Sequence, residues 1–177
     1  MLRESLGASA RKLRIFDFDD TIVRTGSLIR VTDREGNKFV LTPGEYAVYD
    51  PRPGDEFDYS DFDRLVDPRE IVWTMRILRR IVARGGEVVI LTARSSPRPV
   101  RQFLRDSGLP DLEVVALGDP DPRRKADYVA SRVESGGLDE VEFFDDSHRN
   151  VSAVRALSAL YPDVRIVVRH VTHRTGL

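Results

Sequence analysis

The residues of this chain best suited to chemistry are mostly oxygen donors, and they fall where apolar runs stop. The stretch Arg14-Ile15-Phe16-Asp17-Phe18-Asp19-Asp20-Thr21-Ile22-Val23 passes from apolar residues into three carboxylates and a hydroxyl. Such a cluster opposes folding unless the acids face a cation or a substrate, because a buried carboxylate without a partner is costly. Alternation along an extended chain puts Asp17 and Asp19 on one side, about 7 Å apart, and turns Asp20 elsewhere. An acidic turn capping the next element also accounts for these residues, since Asp and Thr are common caps.

Three later stretches carry the same pattern. Glu87-Val88-Val89-Ile90-Leu91-Thr92-Ala93-Arg94 is an apolar run ending in a hydroxyl, Arg123-Arg124-Lys125-Ala126-Asp127 opens a helical pattern with a basic cluster, and Val141-Glu142-Phe143-Phe144-Asp145-Asp146-Ser147 ends in paired acids. Each places its polar residues just after a strand or at a helix start. In a parallel α/β sheet those positions gather at the carboxyl ends of the strands, where ligands bind.

In this order, D-F-D-D-T, the run ending in Thr92, Lys125 and the D-D pair resemble the four motifs of the haloacid dehalogenase-like (HAD) superfamily of phosphohydrolases, over residues 13 to about 150. The resemblance implies an aspartyl nucleophile at Asp17, a general acid/base at Asp19, a phosphate-binding hydroxyl at Thr92 and a charge-neutralising lysine at Lys125. It implies a magnesium site held by Asp17, Asp145 and the backbone carbonyl of Asp19, and it makes Thr21, Ala93 and Arg94 candidate substrate-binding residues. Arg94 is either a phosphate contact or an ordinary surface arginine. Arg123 or Arg124 could replace Lys125. Asp146 is either a further ligand or a helix cap. Asn150 is a candidate for orienting metal-bound water, and His148 a weaker one; His170 and His173 read as incidental.

The elements that must position these residues alternate strand and helix, which implies a Rossmann-like parallel sheet with helices on both faces and right-handed crossovers. Strands are expected at Leu13 to Phe18, Glu87 to Thr92, Glu113 to Leu117, Val141 to Phe144 and Val164 to Val168. A helix after the second of these starts at Ser95-Ser96-Pro97 and stops at Gly108, Pro120 and Pro122 lead into the helix of Lys125, and a last helix buries Val151, Val154, Leu157 and Leu160. Asp67 as N-cap, Pro68 at the first position and Glu70 three residues past the cap predict a capping-box helix that buries Ile71, Val72, Met75, Leu78, Ile81 and Val82 and ends at Gly85-Gly86. Trp73 reads as a partly buried structural residue. Between the first strand and this helix, residues 28 to 32 and 38 to 41 predict a hairpin around Asp33-Arg34-Glu35-Gly36-Asn37, stopped by Pro43-Gly44. Residues 42 to 67 then form an acidic loop anchored by Tyr46, Tyr49, Phe57, Tyr59 and Phe62, more simply a solvated segment than a second metal site. The reading is one HAD-like domain over residues 1–177 with a small cap insert at 23–67 that covers the site.

Composition sets wider limits. At 177 residues, 41% hydrophobic and 32% charged, the chain has room for a core and reads as soluble. A net charge of -1 gives no global attraction to nucleic acid or anionic membranes. The absence of Cys excludes disulfides, thiolate metal sites and cysteine nucleophiles and fits a reducing compartment. No apolar run approaches a membrane span, and Met1 to Lys12 lacks a secretory h-region, so the expected location is cytoplasmic. The expected activity is a Mg²⁺-dependent phosphatase acting on a phosphate monoester through an aspartyl-phosphate. The expected partner is a phosphorylated small molecule or a nucleic-acid end, with no obligate protein partner evident. The runner-up is a polynucleotide 3′-phosphatase, because the segments around Lys125 and Asp145 also look like the phosphatase domain of polynucleotide kinase-phosphatase enzymes and arginines at 76, 79, 80, 84, 94, 98, 101 and 105 could line a track. A binding module that kept the fold without turnover is the third possibility.

Overall fold

A computed structural model of the chain describes residues 10–172. Its centre is a five-stranded, all-parallel sheet in the order β10-β9-β1-β7-β8. These strands are β1 (Lys12–Phe16), β7 (Glu87–Thr92), β8 (Glu113–Ala116), β9 (Glu140–Asp145) and β10 (Arg165–His170). The strands between β1 and β7, described below, lie outside this sheet. Near-continuous apolar runs suit strands covered on both faces. Phe16, Ile90 and Phe144 pack with Met75 and Leu78 of α2 (Val72–Ala83) and with Val100 and Leu104 of α3 (Arg98–Asp106). On the opposite face, Ile15, Leu91 and Phe143 pack with Val129 of α4 (Pro122–Glu134) and Val154 of α5 (His148–Ala156). The fold is therefore the α/β, Rossmann-like arrangement that the alternating pattern implies. Because the chain leaves β1 toward β7 and later returns to β1's other edge with β9, the strand order reverses beside β1, the usual place for a ligand crevice.

The connection from β1 to α2 is more structured than its composition suggests. The hairpin is present as β3 (Ile29–Thr32) and β4 (Lys38–Leu41), paired antiparallel, and β5 (Glu56–Asp58) adds a third strand on the free edge of β3. Pro43-Gly44 does not open a loop but begins a short helix, α1 (Pro43–Val48). Its capping box was hidden by the proline: Glu45 N–H donates to Thr42 Oγ1 at 3.2 Å and Thr42 N–H to Glu45 Oε2 at 2.8 Å. The aromatic anchors do meet, with Phe57 against Tyr46, Tyr49 and Tyr59 at centroid distances of 5.6, 6.0 and 6.1 Å. The acids serve this small sheet. Asp61 is buried and accepts from Leu28 N–H and Arg30, and Asp55 accepts from the Tyr49 hydroxyl.

The start of α2 differs from the expectation. Asp67 sits at φ 42°, and Arg69–Glu70 forms a strand, β6, paired antiparallel with Val23–Arg24 of β2. Ile71 becomes the N-cap without a side-chain hydrogen bond, and Glu70 pairs with Arg79 at 2.6 Å instead of capping the helix. Strand pairing beside the turn that follows β1, with Ile71 N–H donating to Ile22 O, overrides the local capping signal. Val72 and Leu160 are correspondingly exposed and are not core residues, and Trp73 is 45% exposed. No helix among the described residues is long and apolar enough to cross a membrane, and His173 lies outside them.

Leu78, wholly buried between α2 and the sheet, tests this packing. Leu78→Ala is expected to lower the unfolding free energy by about 2–5 kcal/mol, whereas Val72→Ala changes it by less than about 0.5 kcal/mol. Urea titration of both variants checks this, and similar losses at the two positions would contradict the assigned helix face.

Candidate active site

Parallel pairing decides which carboxylates meet. Phe16 of β1 lies opposite Phe144 of β9, so Asp17 and Asp145, the next residue on each strand, emerge side by side at the carboxyl edge. Lys125 enters from the first turn of α4, whose N-cap Asp121 accepts from Arg123 N–H. Its Nζ donates to Asp17 Oδ1 at 2.5 Å and to Asp145 Oδ2 at 2.7 Å. All three are buried. Arg123 and Arg124 are exposed and pair with Asp121 and Asp119, so Lys125 is the cation of this cluster.

Side chains of the flanking loops fix the two acids. Asp145 accepts from Ser147 N–H and from Asn150 Nδ2 on both oxygens, while Ser147 caps α5. Thr21, expected to touch substrate, is fully buried and links two acids instead: its hydroxyl donates to Asp17 Oδ2 at 3.0 Å and accepts from Asp146 N–H at 3.1 Å. Its position is set by a turn in which the Phe18 carbonyl accepts from the amides of Thr21, Ile22 and Val23, with Asp20 at φ 54°.

Asp19 takes a different course from Asp17. Its carboxylate receives Arg94 Nε at 2.8 Å and Nη2 at 2.7 Å, a bidentate pair. Arg94 is neither a surface residue nor free to grip a phosphate. Its side chain is 0% exposed, and Nη1 donates to the carbonyls of Phe62 and Arg64 while the guanidinium lies 4.9 Å from the Phe62 ring centroid. Thr92, at the end of β7, accepts from Arg94 N–H and is 1% exposed, so its hydroxyl also orients the Arg94 backbone. The cavity over Asp17 is lined at this point by Ala93, Arg94 and Ser95.

Asp17, Asp145 and Asp146 offer carboxylate oxygens all within 4.8 Å of one another. The Asp19 side chain is turned to Arg94 and stands apart from this group, which leaves its backbone carbonyl as the donor expected of it, and Asp146, whose neighbour Ser147 takes the cap of α5, stands with the acids. Three carboxylates around one ammonium leave an excess of negative charge that a hard divalent cation with oxygen ligands matches, so the residues fit Mg²⁺. Burial pushes the Asp17 carboxyl up to about 7, with Asp145 adding to the rise and Lys125 opposing it. Burial likewise raises Asp146 to about 8, helped by Asp17 and Asp145. Burial works against the charge on Lys125, yet Asp145 and Asp17 more than offset it and its pKa is raised. His148 stacks edge-on against His170 at 5.9 Å and does not line the cavity.

The cavity has a volume of about 490 Å³ and is lined by Asp17, Lys125 and Asp146 and by Tyr46, Tyr59 and Phe62 of the β1–α2 connection. Tyr46, Tyr59 and Phe62, expected only as anchors of the insert, line the cavity themselves, and the 118–122 loop that also lines it carried no signal in the sequence. Comparison with protein-family models and with curated proteins finds no match to this chain.

Two outcomes follow for stability. Asp17 and Asp146 hold protons more tightly folded than unfolded, so their contribution is lost as pH rises from about 4 toward 8; the lowered acids of the small sheet, such as Asp61, titrate below that window. In chelator the melting temperature should fall across this range, and added Mg²⁺, which binds ionised carboxylates, should raise it more at about pH 8 than at about pH 5. A Mg²⁺ effect independent of pH would contradict the cluster. Separately, Asp19→Asn strips a buried guanidinium of its partner and should cost about 3–5 kcal/mol in denaturant titration, unlike Asp63→Asn at an exposed position.

Proposed function

We propose that this chain is a Mg²⁺-dependent phosphohydrolase of the HAD type that releases phosphate from a monoester through an aspartyl-phosphate on Asp17. The observation that carries the reading is the convergence of Asp17, Asp145 and Asp146 at the carboxyl edge of the sheet, with Lys125 bonded to the first two, beside a cavity. Asp17, Asp145 and Asp146 would hold the cation, which when bound screens the repulsion between the Asp17 carboxylate and an anionic phosphate.

Asp17 Oδ attacks phosphorus; the new O–P bond forms as the ester P–O bond breaks, and the leaving oxygen takes a proton from Asp19. Asp19 then removes a proton from water, which attacks phosphorus, frees inorganic phosphate and restores Asp17. Arg94 holds Asp19 in a fixed orientation, and one carboxyl oxygen must exchange its Arg94 bond for the proton during the cycle. The amides of Phe18 and Asp19, which have no partner among the described residues, are available to the phosphate oxygens. Lys125 keeps Asp17 and Asp145 together and supplies positive charge beside the transferred group. The default setting for such a chain is cytoplasmic.

A polynucleotide end is the second reading, favoured by one observation. Arg76, Arg80, Arg84, Arg98, Arg101 and Arg105 are all exposed on α2, α3 and the residue after α2, and of the arginines between 76 and 105 only Arg79 and Arg94 are in an ion pair among the described residues. Preference for a 3′-phosphorylated oligonucleotide over a mononucleotide that fades with added salt would establish it.

Hydrolysis of a generic aryl phosphate tests the main reading. Turnover is expected to need Mg²⁺, to stop in chelator and in Asp17→Asn, and to drop by roughly 10²–10⁴-fold in Asp19→Asn. Undiminished turnover in Asp17→Asn would refute the covalent route; binding of a phosphate ester without release in the wild type would identify a non-catalytic module.

A further inference from the structure

The apolar wall of the cavity bears on what a bound phosphate ester would carry beyond its phosphate. It is built by the β1–α2 connection, which contributes Ile29, Tyr46, Tyr49, Tyr59 and Phe62 to the lining. The tyrosines do not reach into the cavity for hydrogen bonds: the Tyr46 and Tyr59 hydroxyls bond each other at 2.7 Å, and that of Tyr49 donates to Asp55 at 2.8 Å. What this wall offers a ligand is mainly ring and aliphatic carbon. Tyr59 remains 39% exposed although its ring packs against Phe57 and Tyr46, so an apolar face is left uncovered where the cavity opens.

Charge limits the ligand further. Of the cations lining the cavity, Lys125 is held between Asp17 and Asp145 and Arg94 is bound to Asp19, while the rim acids Asp119 and Asp121 are matched by Arg124 and Arg123 outside it. Arg149 is the one lining cation that forms no ion pair among the described residues. A second phosphate or several carboxylates on the ligand would find little to neutralise them. The volume suits a small molecule rather than an extended chain.

We infer that the cavity binds a phosphate monoester whose organic part is a neutral, planar aromatic ring system, up to the size of a nucleoside, stacked on the wall of Tyr46, Tyr59 and Phe62. Ring-on-ring contact between offset or edge-to-face aromatics adds selectivity over an aliphatic group of equal charge. This inference rests on the phosphohydrolase reading for the orientation of the ligand, with its phosphate toward Asp17 and its ring toward the connection.

Binding and turnover separate the two ideas. In calorimetric titrations with Mg²⁺ present, the wild-type chain is expected to bind naphthylphosphonate, which cannot be hydrolysed, about tenfold more tightly than methylphosphonate. Tyr59→Phe should keep that preference and Tyr59→Ala should lose most of it, while methylphosphonate binding stays the same in all three. Nucleoside monophosphates and simple aryl phosphates, tested as substrates beside glycerol phosphate, distinguish the source of the ring. Ring-dependent binding without phosphate release from any ester would support the ring site and overturn the phosphohydrolase reading. Equal kcat/KM for ringed and ringless esters, with both phosphonates bound equally and Tyr59→Ala without effect, would overturn the ring site and leave that reading standing.

Discussion

The arrangement at the carboxyl edge depends on one ammonium between two carboxylates. Parallel pairing of β1 with β9 forces Asp17 and Asp145 together at a buried position, where two like charges call for a nearby cation. Lys125 reaches both because Pro122 and the Asp121 cap fix the start of α4 just below them. The surrounding polar groups complete that solution: Asn150 and Ser147 satisfy Asp145, and Thr21 satisfies Asp17 while reaching Asp146. A cluster so heavily supplied with acid is costly to fold, and burial and mutual repulsion raise the Asp17 and Asp146 carboxyls accordingly. The same excess of negative charge is what a divalent cation with oxygen ligands would match.

Arg94 joins this edge to the cavity wall. It is the largest fully buried side chain, and its guanidinium spans from the Asp19 carboxylate to the carbonyls of Phe62 and Arg64. A buried guanidinium cannot give up its partners cheaply, so the position of Phe62 and the orientation of Asp19 are not independent. Any shift of the β1–α2 connection on ligand binding would be felt by Asp19 through Arg94, and any loss of Asp19 would be felt by the wall.

The parallel sheet was legible because its strands are short apolar runs that end abruptly in Asp, Thr or Asp-Asp; that same signal located Asp17, Thr92 and Asp145 at one edge, and the basic cluster that opens a helical pattern located Lys125. Roles that depend on side-chain direction were not legible. Arg94 and Thr21 look like substrate contacts in one dimension, yet the turn after Phe18 and the packing of residues 62–64 bury both. Asp146 could be either ligand or cap until β9 and the Thr21 hydroxyl fixed its backbone. The capping box at Asp67 failed for a different reason: Arg69–Glu70 pairs with residues 23–24, a contact across more than forty residues that no local pattern encodes. The helix at Pro43 was overlooked because Pro-Gly reads as a break, although Thr42 and Glu45 carried the capping signature.

Covalent phosphorylation of Asp17 is the step that the proposed route requires above all. Rapid acid quenching of the wild type and of Asp19→Asn during turnover of an aryl phosphate, followed by intact-mass and peptide mass spectrometry, reads this directly. One phosphoryl group is expected on the peptide that contains Asp17, more abundant in Asp19→Asn because loss of the base for water slows the second step more than the first. Release of phosphate with no adduct in either protein, or an adduct on a residue other than Asp17, would contradict the mechanism.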